Sequence, residues 1–275
     1  MLAPIHDTEL LYVEQGQGRG MLVMHGGLGL SHTYFRPSLD PLAEQVRIVL
    51  YDHRSHGGSG RPPLDTVTHE QLVEDAEALR QHLGLGKMIL FGHSYGGTLA
   101  LMYALRYPQN LAGLILCTTY PAFDYPEVIQ ANALRIGNPA QLQALADWQA
   151  GAALNDETFA VFWRTIIPMY FHRYDPSIGE RLDRDATYSG EVFQKAFAVL
   201  TPGYNVVDQL GEITMPVLVL GARHDWITPL AQSERIHHGI PGSELVVFEE
   251  SGHFPFIEEQ PKFLETVRSW LARLP

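Results

Sequence analysis

Residues 87–97, Lys-Met-Ile-Leu-Phe-Gly-His-Ser-Tyr-Gly-Gly, set the tightest limit on how this chain can fold, because a short apolar run breaks off in Gly92-His93-Ser94-Tyr95-Gly96 and the sequence then turns helical. The run predicts a buried strand, and the apolar stretch from Thr98 to Tyr107 predicts a helix stopped by Pro108. Ser94 falls on the tight turn between them. Glycine on either side is what such a turn needs, since its backbone is strained and side chains would collide across it.

Seven further apolar runs share that character, at about residues 2–6, 10–14, 21–26, 46–52, 111–118, 215–221 and 244–249. The first two are close together and followed by the turn-rich Gln15-Gly-Gln-Gly-Arg-Gly20, which predicts an antiparallel hairpin at a sheet edge. The others alternate with helical patterns. Leu72, Ala76, Leu79 and Leu83 recur at helical spacing behind Thr68 and Gln71, a capping-box pair, and Phe263, Val267, Trp270 and Leu271 line one face of a closing helix. Strands alternating with crossover helices predict an α/β fold, an eight-stranded, mostly parallel sheet with helices on both faces.

Residues 122–210 break the alternation. They hold helical runs such as 141–151 and 159–164, many aromatics and several prolines, but no clear strand. The expected organisation is a core formed by 1–121 and 211–275, with 122–210 inserted as a helical cap.

Composition sets limits without choosing a function. A net charge of -12, from 19 Lys and Arg against 31 Asp and Glu, argues against nucleic acid or an anionic membrane as partner. No run approaches the roughly 18 apolar residues of a membrane span, and the N-terminus lacks the basic and apolar regions of an export signal. A single cysteine, Cys117, sits in an apolar run and reads as a core residue, so the cytoplasm is the expected location.

A serine hydroxyl becomes a useful nucleophile only when an imidazole takes its proton. Of 13 histidines, His253 is the candidate base, because Glu249-Glu-Ser-Gly-His-Phe-Pro255 follows the last strand on a loop that can reach back over the sheet. His93, inside the turn, is expected to point elsewhere. Asp225 lies just past the run 215–221, where open α/β sheets place their ligands, and is the candidate partner of His253. Asp208 is the rival acid. Two backbone donors for an oxyanion are at hand in Tyr95, after the serine, and in Gly27 of the glycine-rich turn His25-Gly-Gly-Leu-Gly29, with Gly26 as the neighbouring choice. His53 and His56 read as polar side chains of a turn and His237-His238 as a solvated helix end, so no metal is assigned.

With these residues in view, the chain resembles an α/β-hydrolase, and within that superfamily the prolyl aminopeptidase (proline iminopeptidase) group. The resemblance is carried by His25 to Tyr34, Tyr51-Asp-His-Arg54 with Gly58 to Pro62, Phe91 to Pro108, Gly221 to Asp225 and Ser251 to Glu258. It implies a triad of Ser94, Asp225 and His253 acting by acyl transfer without a cofactor, on a small acyl compound or a short peptide with an N-terminal proline or other small residue. Two departures stand out: Leu28 occupies a place where family members usually have proline, and the acidic cap residues that hold a substrate's amino group find no counterpart residue by residue. A cap admitting only apolar acyl groups would instead make a carboxylesterase or lactonase. Epoxide hydrolases and dehalogenases of this fold use aspartate where Ser94 stands. A non-catalytic binding protein on the same scaffold would usually lack a triad member. Tyr120, Phe123, Tyr125 and Trp148 are the expected pocket walls, since aromatic residues dominate such pockets.

Overall fold

The computed structural model describes every residue from Met1 to Pro275. Its strands are β1 (Leu2–Ile5), β2 (Thr8–Gln15), β3 (Gly20–Met24), β4 (Arg47–Tyr51), β5 (Met88–His93), β6 (Leu111–Cys117), β7 (Val217–Ala222) and β8 (Glu244–Phe248). They form one sheet in the order β1-β2-β4-β3-β5-β6-β7-β8. β1 and β2 make the expected antiparallel edge, β2 runs antiparallel to β4, and every other pairing is parallel. β5 and β7 are buried at every position, which explains why they read as unbroken apolar runs and not as alternating ones.

Helices α1 (His69–His82) and α2 (Tyr95–Arg106) follow β4 and β5. Thr68 caps α1 by accepting from the Gln71 amide at 3.1 Å, but the Gln71 side chain turns to Asp75 instead of returning to Thr68, so only half of the capping box forms. α2 starts at Tyr95, three residues earlier than the apolar pattern suggests, because Ser94 already occupies the helix-cap position. That leaves the Tyr95 amide in the first turn, where N–H groups have no partner inside the helix.

Residues 122–210 carry α3 (Pro126–Ile136), α4 (Pro139–Gln149), α5 (Asp156–Ile166), α6 (Pro176–Arg184) and α7 (Gly190–Lys195), with a π-helical turn over Ala196–Leu200. A bridge between Ala122 and Asn205 clips the two ends of this segment together. The chain closes through α8 (Leu230–Gly239), a single turn α9 (Pro255–Glu258) and α10 (Gln260–Leu271), whose Phe263, Val267 and Trp270 are buried as their spacing predicts. Apolar side chains cover both faces of the sheet. No helix is long and apolar enough to cross a membrane.

Candidate active site

The site is built at the carboxyl ends of the central strands. At the end of β5, Ser94 adopts φ 54° and ψ −125°, a backbone state that non-glycine residues occupy only when the surroundings enforce it. They do so here: the Ser94 amide donates to the Cys117 carbonyl at 3.0 Å, and the Ser94 carbonyl accepts from the Thr119 hydroxyl at 2.6 Å and the Gly97 amide at 2.8 Å. A Cβ on Gly96 would lie 2.2 Å from the Met24 carbonyl oxygen, so only glycine lets α2 leave the sheet this closely. One on Gly26 would lie 2.6 Å from the Ser94 Cβ, so the β3 loop too reaches the turn only as bare backbone.

Asp225, past β7, and His253, past β8, meet as the chain order suggests: His253 Nδ1 is 2.7 Å from Asp225 Oδ2, and both residues are buried. Asp225 Oδ1 also accepts from the Ile227 and Thr228 amides at 3.0 Å. The Thr228 hydroxyl lies 2.6 Å from Asp225 Oδ2 and 2.9 Å from the Thr118 carbonyl; its one proton serves one of them at a time. With Nδ1–H donating to Asp225, the neutral form of the imidazole has Nε2 free to take a proton. Asp208 lies exposed on a turn over Val207–Glu212 and takes no part. No hydrogen bond joins Ser94 Oγ to His253 Nε2, although both face one cavity. That contact is commonly long without substrate and tightens when one binds.

His93 does point elsewhere, and its role is informative. Burial holds its basicity well below that of an ordinary histidine, so it carries one proton. With the carbonyl of His253 3.0 Å from Nε2 and the Tyr34 hydroxyl 2.8 Å from Nδ1, the consistent arrangement is Nε2–H donating to His253 and Tyr34 O–H donating to Nδ1. The Tyr34 oxygen in turn accepts from the Gly26 amide at 2.5 Å. The Gly26 amide is thus occupied, whereas the Gly27 and Tyr95 amides donate to nothing in the protein and line the same cavity as Ser94. Tyr34 escaped sequence reasoning, since nothing in its spacing shows a phenol reaching a histidine 59 residues away; Thr228 bonds Asp225 only three residues back, a local turn whose spacing could have been read.

The cavity over Ser94 holds about 40 Å³ and is walled mainly by aromatic rings. Tyr120, Phe123 and Tyr125 line it as expected, joined by Trp163, Tyr170, Phe193 and Phe197 from the 122–210 segment. Trp148 does not: its ring packs on Phe162, Phe193 and Phe197, one layer further out, and faces a neighbouring cavity. α4 packs against α5 and so holds Trp148 away from Ser94, which aromatic content alone could not foretell. No Asp or Glu lines the cavity around Ser94.

Comparison with known proteins agrees with this geometry. A family model described as the alpha/beta hydrolase fold matches residues 20–260. Among curated relatives, a proline iminopeptidase of Saccharolobus solfataricus is 31% identical, with 96% of this chain and 88% of the relative aligned. One of Clostridioides difficile is 30% identical over 94% and 92%. Among solved structures, a thermophilic esterase from Thermogutta terrifontis superposes with a TM-score of 0.77 at 28% identity, covering 97% of this chain and 94% of that one. A chain whose sheet order, turn geometry and sequence all agree in this way belongs to the α/β-hydrolase fold family.

Proposed function

We propose that the protein is a serine hydrolase that transfers a small, largely apolar acyl group from an ester to water through a covalent acyl-enzyme. The observation that carries the choice of substrate is the cavity wall: it offers rings and hydroxyls but no carboxylate. An α-ammonium group brought into it would lose its hydration and gain no ion partner, a cost of several kcal/mol by order of magnitude.

In the first step Ser94 Oγ bonds to the ester carbonyl carbon while its proton passes to His253 Nε2. Asp225 holds the imidazole by Nδ1 and balances the positive charge that develops. The carbonyl oxygen becomes anionic between the Gly27 and Tyr95 amides, donors of a kind whose loss typically costs on the order of 100-fold in rate. The alcohol departs with the proton from His253. Water then repeats the sequence and releases the acid.

A second reading, release of an N-terminal proline or other small residue from a peptide, is favoured by the relatives named proline iminopeptidase. The two separate in one experiment, kcat/KM on a short-chain aryl ester and on a proline arylamide, with Ser94→Ala as the blank. Ester turnover at least 100-fold above the arylamide is expected. The reverse preference would move the assignment to the aminopeptidase, and activity surviving in Ser94→Ala would remove the serine mechanism altogether.

A further inference from the structure

Beside the cavity over Ser94 lies a second one of about 170 Å³, between α3 and α4 on its outer side and Trp226 on its inner side. The two share four walls, Tyr170, Phe193, Phe197 and Ile227, so a single layer of side chains divides them. Phe193 and Phe197 stand in that layer because α7 runs into the π-helical turn, closed by the Thr201 amide on the Ala196 carbonyl at 2.7 Å. Such widened turns are uncommon and often occur at binding sites.

Size and polarity say what the second cavity suits. The cavity at Ser94 has room for about three waters, which accommodates an acetyl-sized group and little more. The neighbouring one slightly exceeds the ~150 Å³ of an apolar cavity known to accept benzene. Its lining is hydrophobic apart from Gln130 and Gln149 near the surface, and no charged side chain faces it.

We infer that this second cavity binds an apolar tail of the substrate, a ring or a short alkyl chain, carried beyond the reacting ester group across the Phe193–Phe197 layer. The inference rests on the assignment of Ser94 as nucleophile, but not on whether the scissile bond is an ester or an amide. It gives Trp148 a place in substrate binding that its distance from Ser94 otherwise denies.

The test follows the rate at which ethyl 4-nitrophenyl alkylphosphonates modify Ser94. The serine oxygen bonds to phosphorus, 4-nitrophenolate leaves and is counted by its colour, and the serine proton passes to His253. One series lengthens the alkyl group on phosphorus from methyl through butyl to hexyl and mimics a longer acyl chain. The other keeps methyl there and lengthens the alkoxy group, mimicking a longer alcohol. In at least one series the hexyl compound should react tenfold or more faster than the shortest, which also tells the acyl from the alcohol side. Filling the second cavity with Ala133→Phe should then cut that advantage at least threefold, and Leu145→Trp serves if Ala133→Phe lowers expression or Tm too far. Flat rates in both series, or an advantage that survives the filling variants, would overturn the tail site while leaving Ser94 as the nucleophile. No labelling by any member would instead remove the nucleophile, and the tail site with it.

Discussion

The floor and the roof of the cavity over Ser94 are held by different forces. On the floor, directional hydrogen bonds fix the acid and the imidazole: Asp225 takes the His253 imidazole and two amides, and the His253 backbone is bonded at both ends, its amide to the Tyr170 carbonyl and its carbonyl to His93 and Thr118. The roof is a stack of rings, with Phe159 on Phe193 at 4.5 Å, Phe193 on Phe197 at 4.8 Å and Trp163 on Tyr170 at 5.0 Å. Hydrogen bonds resist sub-ångström displacement, as charge development in a transition state requires. Ring contacts are strong in sum but tolerate sliding, which suits a surface that selects shape. The difference teaches that damage to the floor should appear in kcat with the fold intact, and damage to the roof in stability and selectivity.

The largest expected effect is on the floor. In Asp225→Asn the amide oxygen can still accept from Ile227 and Thr228, but its NH2 faces His253 Nδ1 and forces the wrong tautomer. Turnover should drop roughly 10⁴-fold with little change in Tm. A rate within tenfold of native would mean that Asp225 does not orient His253.

On the roof, Phe159 is wholly buried between Phe193 and the Gly29 loop. Phe159→Ala should cost about 3–5 kcal/mol of stability and lower Tm by roughly 6–15 °C. At a temperature where the variant remains folded, kcat on a short ester should stay within a few-fold of native; a loss as deep as that of Asp225→Asn would erase the distinction between floor and roof.

An intermediate case is Tyr34→Phe, which leaves the Gly26 amide and His93 Nδ1 without their partners. About tenfold in kcat is expected, corresponding to ~1.4 kcal/mol, with KM nearly constant. An unchanged kcat would show that the loop holding Gly27 needs no such anchor.

The same contrast explains what could be read from sequence. The floor lies at strand ends and in glycine turns, where local backbone demands leave a mark: Gly92-His93-Ser94-Tyr95-Gly96 announces its turn, and Asp225 and His253 follow apolar runs that had to be strands. Tyr34 joins loops far apart in the chain and leaves no periodic trace. On the roof, which aromatic faces Ser94 depends on how five helices pack, and aromatic content, the one signal behind all four expected walls, could not separate Tyr120, Phe123 and Tyr125, which line the cavity, from Trp148 on α4, which does not. The start of α2 was misjudged because apolar spacing cannot show a cap residue with positive φ.

One residue ties floor to roof and gives the smallest and most specific effect. Glu258 Oε1 accepts from the His172 and Arg173 amides of the 122–210 segment, and Oε2 from the Gly252 amide beside His253. Burial pushes this carboxyl up to about 7 and the neighbouring Glu259 adds to the rise, while the three amide bonds oppose it. The folded protein therefore keeps a proton on Glu258 that the unfolded chain, titrating near 4.5, has released. Between those two values the folded state binds more protons, so this group's contribution to stability falls as pH rises from about 4.5 to 7 and is fully unfavourable above. After a discount for the part of the carboxyl that water reaches, the change across the window should be about 1 kcal/mol. Glu258→Gln cannot titrate. Subtracting its unfolding free energy from that of the native protein at pH 5, 6, 7 and 8 should give a difference that falls toward pH 7 and levels off beyond. Parallel profiles would place the titration outside this window and leave the clasp between His253's loop and the 122–210 segment insensitive to pH.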